Sequence, residues 1–362
     1  GEVLSFDGVA ARLDGVGLVL VGEEHDSIEA HRVQLGVIAA LHARGRPVAV
    51  GLEMLPVTVQ PALDRWSAGG LSEDELLAAV DWYEHWGMPW GYYRDVFLFA
   101  REHRLPVFAL NVPRPVVRAV GRGAAGELPP EMARHVPPAV DLASDDHRTL
   151  IRALFAQEAG MHGGLDDEQF EAMFAAQATW DAAMAHAAAR ALAGLPGRDP
   201  VLVVLVGSGH VAYGLGVERQ AKAWLERPSA SVVPLPVRGD DGEPTGPVRA
   251  SYADVVWGLP PAGEPFYPGL GLSTVDADPD GPDDRRRVIF VAGGSAAEAA
   301  GFAAGDLLLA MDGQPLPDRR GLARRMAGKR WGDRAVFRVE REGQPVELTV
   351  LFRRAAPAPA AP

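Results

Sequence analysis

Four short apolar runs recur along the first part of the chain, and each one ends at a polar side chain. The runs lie at 18–21, 48–52, 107–110 and 201–206. Because every position in them is apolar or Gly, they are typical of strands buried on both faces of a parallel sheet. Apolar residues at helical spacing between the runs predict helices that cover those faces. The pattern therefore predicts an α/β domain with a mostly parallel sheet flanked by helices.

Polar side chains follow all four predicted strands. In open parallel sheets the ligand lies beyond the carboxyl ends of the strands, so side chains placed there meet at one rim. Imidazoles beside carboxylates at such a rim suit either an acid–base pair or a metal site. The alternative is that each His only hydrogen-bonds the loop that holds it. The residues expected to converge are Glu23, His25, Glu53, Asn111 and His210.

Helical periodicity dominates residues 131–192, a stretch too long for an ordinary crossover between strands. We expect it to form a helical cap. In its last helix, Gln177 and Asp181 lie on or beside an apolar stripe. A buried polar group without a partner costs about 1–3 kcal/mol, so these side chains either tie the helix to the sheet or contact a ligand. We expect His147, earlier in the cap, to lie at the surface.

Residues 81–93 hold a high density of aromatic side chains for a single connection. Such a cluster either packs a corner beneath a loop or forms an aromatic wall for a flat ligand. Both interpretations stay open on the sequence. The aromatic side chains of this stretch are Trp82, Tyr83, Trp86, Trp90, Tyr92 and Tyr93.

The composition narrows the function classes. A chain of 362 residues, 48% of them hydrophobic, is expected to form two folded domains. Its net charge of -13 argues against a nucleic-acid partner, since phosphate binding needs a basic surface. Because Cys is absent, thiolate catalysis, iron–sulfur clusters and cysteine zinc sites are excluded. No apolar run is long enough to span a membrane, and a start at Gly1 without Met is typical of a trimmed or mature form.

Short strand patterns fill residues 268–354, after a Pro-rich linker at 261–267 that follows a first domain at 1–260. The segment AGFAAGDLLLAMDGQP at 300–315 is the most specific part of this pattern. It resembles a PDZ domain of the kind found in bacterial proteases. The resemblance implies that an extended peptide adds to a sheet edge while a loop binds its C-terminal carboxylate. That loop would be Gly269, Leu270, Gly271 and Leu272, and the Pro/Ala tail at 355–362 is expected to be disordered.

Motifs across nearly all of the first domain, taken in order, resemble the ChaN-type haem-binding domain. That family is associated with haem binding and iron uptake at the bacterial envelope, often in lipoproteins. The resemblance implies haem as cofactor, with Tyr or His as the iron ligand, and it is compatible with a homodimer. It points to Tyr93 as the ligand, with Tyr92, Asn111, Gln177 and Asp181 as further haem-contacting residues. The motifs lie at 22–26 with His31 and Gln34, then at 51–54, 93–94, 109–114, 176–185 and 207–210.

The same superfamily offers a different function. It includes erythromycin-esterase-like enzymes and the Tiki metalloproteases, whose paired Gly-x-x-His motifs are similar to those ending at His25 and His210. By that resemblance, His25, His210 and Glu53 would hold a divalent metal, and Glu23 or Glu24 would activate its bound water. A third hypothesis is an adaptor that works through its PDZ domain without chemistry. Haem binding at the cell envelope is the leading function, and metal-dependent hydrolysis of a peptide or ester is the alternative.

Overall fold

The computed structural model of the protein gives the course of most of the chain. The tail at 355–362, for which the sequence predicts disorder, lies outside the described residues. The side chains of 156–159 are also outside the description, although their backbone is helical. The described residues are 2–159, 166–239, 242–261, 263–278 and 283–354.

Contacts divide the chain into two compact units, and each is described by itself. Unit 1 holds Gly1–His85 and Tyr92–Gly263, and unit 2 holds Trp86–Gly91 and Glu264–Pro362. The division after Gly263 falls within the expected linker at 261–267.

Over the described residues, unit 1 is built on a six-stranded sheet in which every pair of neighbours runs parallel. Its spatial order is 3-2-4-1-5-6, so the first and fourth strands lie side by side at the centre. All residues of the first, second and fourth strands are buried, which confirms the prediction from their unbroken apolar runs. The strands are β1 (Leu18–Glu23), β2 (Val48–Pro56), β3 (Val107–Asn111), β4 (Val201–Gly207), β5 (Ser229–Pro236) and β6 (Val255–Leu259).

Helices flank this sheet, and local capping defines where several of them begin. The Ser27 hydroxyl accepts the backbone N–H of Ala30 at 3.2 Å, which satisfies one of the unpaired N–H groups at the start of its helix. Among the described helices, none is long and apolar enough to cross a membrane. The helices are α1 (Phe6–Arg12), α2 (Ile28–Ala43), α3 (Gln60–Ser67), α4 (Glu73–Ala79), α5 (Trp82–His85), α6 (Arg94–Glu102), α7 (Arg114–Gly121), α8 (Pro130–Ala133), α9 (Asp145–Ala159), α10 (Asp167–Ala193) and α11 (Val217–Ala221).

The predicted helical cap is formed by α9 and α10. Three apolar side chains hold the two helices together, Ile151 from α9 with Phe170 and Phe174 from α10. Farther along α10, Ala185 and Ala188 are fully buried in the main core. Because Ala adds little bulk, this face of the helix packs closely on the sheet. The last helix of the cap, α10, thus packs on both β3 and β4 of the sheet.

Unit 2 is β-rich, as the sequence predicts. Over the described residues its sheet is antiparallel, in the order β12-β11-β9-β8-β7 once its strands are numbered on from unit 1. Its core is a separate cluster around the fully buried Phe337 and Phe352. The elements are β7 (Leu272–Asp276), β8 (Arg286–Val291), α12 (Ala296–Ala300), β9 (Leu307–Met311), β10 (Gln314–Pro315), α13 (Arg319–Ala327), β11 (Arg334–Arg341) and β12 (Gln344–Leu351).

Candidate functional site

The carboxyl ends of the central strands bring the predicted polar residues to one rim. The last residues of β1 and β4, Glu23 and Gly207, are register partners. From β2, Glu53 reaches the end of the neighbouring β4 and accepts the Gly207 N–H at 2.5 Å. From β3, Asn111 donates its side-chain amide to the Glu53 backbone carbonyl at 2.9 Å. The structure thus gathers Glu23, His25, Glu53, Asn111 and His210 at the rim.

Glu23 and His25 form one half of the rim. The buried Glu23 carboxylate accepts hydrogen bonds from the Tyr93 hydroxyl at 2.5 Å and the Gln34 amide at 2.6 Å. One of its oxygens also lies 2.8 Å from His25 Nδ1, while the His25 side chain remains 42% exposed. Burial lowers the pKa of His25, but its hydrogen bond to Glu23 and the charge of Glu53 outweigh burial and raise that pKa. This half therefore holds an imidazole at the surface.

The other half encloses His210 between two carboxylates. His210 Nδ1 lies 2.5 Å from Asp181 Oδ1, and its Nε2 lies 3.3 Å from Glu53 Oε1. Burial lowers the pKa of His210, but the charges of Glu53 and Asp181 raise it well above its ordinary value. Burial likewise opposes ionisation of Glu53, yet the charge of His210 holds the Glu53 pKa below its usual range. Both ring nitrogens of His210 therefore face carboxylate oxygens, an arrangement that favours the protonated ring.

The cap supplies further polar contacts to His210. Gln177 and Asp181, both on α10, contact its ring, with the Gln177 amide nitrogen 3.1 Å from His210 Nδ1. They tie the helix to the rim, which is one of the two roles that the sequence left open. The prediction that His147 lies at the surface is wrong. Its ring is fully buried, because the first turn of α9 packs it edge-on against Phe174 at 5.2 Å.

The two Gly-x-x-His motifs interlock through their glycines. A Cβ atom at Gly22, in the first motif, would come within 2.9 Å of Ser208 Oγ in the second. A Cβ atom at Gly207, in the second motif, would come within 3.0 Å of His25 Cε1 in the first. Each glycine is therefore required for the close approach of a side chain from the other strand. This reciprocity is a physical reason for the repeated motif at the ends of neighbouring strands.

Four aromatic residues of this stretch belong to unit 1, namely Trp82, Tyr83, Tyr92 and Tyr93. Trp82 and Tyr93 are fully buried and in edge contact, with ring centroids 5.3 Å apart, and Tyr92 is 3% exposed. Tyr93, which the sequence predicts as the iron ligand, and Tyr92 beside it are therefore both buried in this structure. The Tyr93 hydroxyl instead donates to Glu23. A hydrogen bond from a buried hydroxyl to a carboxylate is strong, so Tyr93 holds Glu23 in position.

Tyr213 is a residue that the sequence reasoning missed. It is 39% exposed and is the most exposed of the six tyrosines. Its φ of 60° lies in the left-handed region, where a bulky residue is an outlier and strain commonly marks a functional site. Its ring meets Tyr252 edge-on at 5.1 Å, and its N–H donates to the Tyr252 carbonyl. The sequence does contain a signal that could have identified Tyr213 as a candidate site residue. It lies three residues after His210, in the loop that follows β4.

Comparison with known families now adds to this geometry. A family model described as "Haem-binding uptake, Tiki superfamily, ChaN" matches residues 9–220, more than half of the chain. The chain belongs to the ChaN family. A second model, for the PDZ domain, matches residues 268–351. No curated protein matches the chain at a significant level.

Solved structures support the ChaN fold. ChaN of Campylobacter jejuni, a protein whose cofacial haem binding has been described, is 18% identical and aligns with 70% of this chain and 92% of its own, with a TM-score of 0.55. At this identity the similarity concerns the fold alone. The HtrA-type protease AlgW, solved with a tripeptide, is 28% identical over 25% of this chain, with a TM-score of 0.22. This chain spans about a third of that protease, 33% of its length.

The predicted carboxylate loop of the PDZ domain leads into β7, the strand at one end of its sheet, and its last residue, Leu272, is the first residue of that strand. Gly271 has a φ of +75°, and a Cβ there would come within 2.3 Å of Ser295 Cβ. Only Gly therefore fits this turn. The Leu270 carbonyl accepts the Ala297 N–H at 2.9 Å, which holds the loop against α12. The arrangement leaves the edge of β7 beside a turn of fixed shape.

A divalent metal does not fit the rim as it stands. Both nitrogens of His210 face carboxylates, and Glu53 Oε2 accepts the Gly207 N–H, so these atoms have no lone pair directed to a shared point. Among the residues that the structure describes, no three His, Asp or Glu side chains form a group able to hold a metal ion. The predicted metal ligands His25, His210 and Glu53 are close together, but the structure does not support a metal there.

Proposed function

We propose that unit 1 binds haem at the carboxyl-end rim of its sheet, with Tyr213 as the iron ligand. The observation that carries this proposal is an exposed tyrosine in a strained backbone position, beside the loop of His210, in a chain of the ChaN haem-binding family. Tyrosine is one of the axial ligands that proteins use for haem iron. Bound haem would supply an iron atom that accepts the phenolate oxygen.

The surroundings of Tyr213 are consistent with its role as the iron ligand. Burial and the nearby charge of Glu24 raise the pKa of Tyr252, which disfavours its phenolate. Tyr252 therefore supports the ring of Tyr213 and is the poorer ligand of the two. In the same loop, Gly209 carries no side chain. The nearest atom to a Cβ built at Gly209 belongs to the apolar side chain of Leu154, at 3.5 Å. A flat, largely apolar ligand is expected to approach such a surface closely.

A haem titration tests the proposal. The Soret band of haem added to the full chain should shift on binding, and Tyr213→Phe should weaken the affinity about tenfold or more, which corresponds to about 1.4 kcal/mol. Tyr252→Phe is the matched control, because it removes the neighbouring phenol but keeps both rings in place. Tyr93→Phe should leave the Soret position unchanged. Equal affinity and equal spectra for Tyr213→Phe and the unaltered chain would contradict the assignment.

The PDZ domain is proposed to dock the C-terminus of a partner protein onto the edge of β7. The partner's backbone would add to the sheet, and the turn at Gly271 would receive its terminal carboxylate. A fluorescently labelled peptide with an apolar C-terminus should bind, and the same peptide ending in an amide should bind at least about tenfold more weakly. Equal affinity for the acid and amide forms of the peptide would exclude recognition of the terminal carboxylate by this loop.

Haem uptake at the bacterial cell envelope is the setting we propose for these two activities. The family description, "Haem-binding uptake", supports the role in uptake. A module that docks peptides would bring a haem carrier to an envelope partner. Expression of the natural gene product followed by membrane and periplasmic fractionation tests the location, and a purely cytosolic distribution would overturn it. Sedimentation with and without haem tests whether the carrier forms a homodimer.

Hydrolysis is the second candidate function. The observation that favours it is the convergence of Glu23, His25, Glu53 and His210, two carboxylates and two imidazoles, at one rim. Peptidase and esterase assays of the purified chain, run beside the haem titration, separate the two functions. Activity that is lost in His25→Ala would favour the hydrolase.

A further inference from the structure

His147 is the residue whose position the sequence did not predict and whose contacts the proposed haem site does not use. It lies on α9 and is fully buried. Its Nδ1 lies 3.2 Å from Arg219 Nη2 on α11. An arginine has only donors, so this nitrogen of His147 must accept. In a neutral imidazole the proton then belongs to Nε2.

The Nε2–H group of His147 points towards Asp181. The nitrogen lies 3.6 Å from Asp181 Oδ2, and neither atom has another hydrogen-bond partner within the described structure. Both side chains are completely buried. At this separation the two buried groups do not form a hydrogen bond, and their interaction is an electrostatic attraction that burial strengthens. The contact therefore orients the Asp181 carboxylate from the side opposite His210.

Arg219 is itself held in place. Its guanidinium pairs with the Asp141 carboxylate and donates to the Asp141 carbonyl at 2.9 Å. Its Nε donates to the Leu215 carbonyl at 2.9 Å, in the segment that follows Tyr213. Burial and the positive charge of Arg219 lower the pKa of His147 despite the charge of Asp181, which is consistent with a neutral ring. Arg148 and His210 add further positive charge near this ring.

We infer that His147 is a positioning residue, held by Arg219 in the Nε2–H tautomer, which orients Asp181 and through it fixes the ring of His210 at the rim. The chain of contacts runs from Arg219 through His147 and Asp181 to His210. It connects α11, α9 and α10 to the loop that carries Tyr213. The inference concerns these side chains alone, so it does not depend on which ligand occupies the rim.

Nuclear magnetic resonance of the full chain labelled with ¹⁵N-histidine tests this inference. Two-bond nitrogen–proton correlations should show His147 with its proton on Nε2, and the His210 Nδ1 proton should resonate far downfield because of its short bond to Asp181. In His147→Phe, which keeps an aromatic ring in the pocket, the downfield resonance should broaden or disappear. His147→Gln keeps a donor near the position of Nε2 and should restore the resonance.

A matched control lies on the same helix as Asp181. The ring of His186 packs against Trp224, with centroids 5.1 Å apart, so His186→Phe should leave the downfield resonance of His210 unchanged. An Nδ1–H tautomer for His147, or an unchanged His210 resonance in His147→Phe, would overturn the inference. The tautomer is measured in the unaltered chain, so the test holds even if His147→Phe does not fold. A failed haem titration would leave this result intact.

Discussion

The two Gly-x-x-His motifs put the same residues at the ends of adjacent strands but give them different surroundings. His25 has one carboxylate beside it and is 42% exposed, whereas His210 lies between two carboxylates and is 11% exposed. A surface ion pair contributes little to stability, while removing one partner of a buried pair leaves an uncompensated charge. The difference indicates that His210 organises the rim and that His25 is the imidazole presented to a ligand.

The source of this difference is the cap. Asp181 reaches His210 from α10, whereas the carboxylate that contacts His25 is Glu23, at the end of β1. The partners of Glu23 come instead from α2 and from Tyr93 before α6. One motif is therefore covered by a helix of the cap, and the other is supported by α2 and by the residue before α6. The same local sequence thus acquires two roles through non-local packing.

Removing the negative charge of Asp181 should give the largest effect. Asp181→Asn leaves the buried His210 with one carboxylate and should lower the free energy of unfolding by about 3–5 kcal/mol. Urea denaturation followed by tryptophan fluorescence measures the change. His25→Asn is the matched comparison, because its imidazole is 42% exposed and Glu23 keeps its hydrogen bonds from Tyr93 and Gln34, so a loss of about 0–1 kcal/mol is expected. Comparable losses in the two variants would show that the halves of the rim do not differ as proposed.

Filling the space left by a glycine should have an intermediate effect. In Gly207→Ala the new methyl group would lie within 3.0 Å of His25 Cε1, so the ring must move or the strand ends must separate. Overpacking of this kind costs about 1–3 kcal/mol. Gly209→Ala is the control, because the nearest atom to its new Cβ is Leu154 Cδ1 at 3.5 Å, an ordinary contact. Thermal unfolding compares the two, and an equal melting temperature would argue against close packing of the motifs.

The rim could be predicted from sequence because its residues follow strands that are apolar at every position. Such strands are parallel neighbours in buried sheets, so Glu53 and His210 meet although 157 positions separate them in the numbering. His147 was misplaced because its burial depends on how α9 packs on α10, which local periodicity does not encode. The burial of Tyr93 could not be predicted for a similar reason, since aromatic density does not distinguish a packed corner from an open wall. The exposure of Tyr213 depends on a left-handed turn that no composition rule indicates.

Raising the pH should give the smallest of these changes in the free energy of unfolding. It also distinguishes the contribution of His210 from that of His25. The pKa of His210 is raised in the folded state, so the folded chain binds more protons than the unfolded chain between the two values. The stability from this group is complete below the unfolded pKa of about 6.5 and is lost as the pH rises through the folded pKa. Each additional proton held gives a slope of about 1.4 kcal/mol per pH unit.

The pKa of His25 is also raised, but solvent screens an imidazole that is 42% exposed, so its share of this slope is smaller. We therefore expect His210→Asn to abolish most of the decrease in the free energy of unfolding above pH about 6.5. His25→Asn should abolish little of it. Glu53, with its lowered pKa, should give the opposite loss as the pH falls through its folded value. The midpoint of urea denaturation, measured at a series of pH values, tests both the loss of stability at high pH and the loss at low pH. The opposite result would be a smaller loss of stability at high pH in His25→Asn than in His210→Asn. In that case the exposed imidazole would contribute more to the pH dependence of stability, and the distinction drawn between the motifs would be reversed.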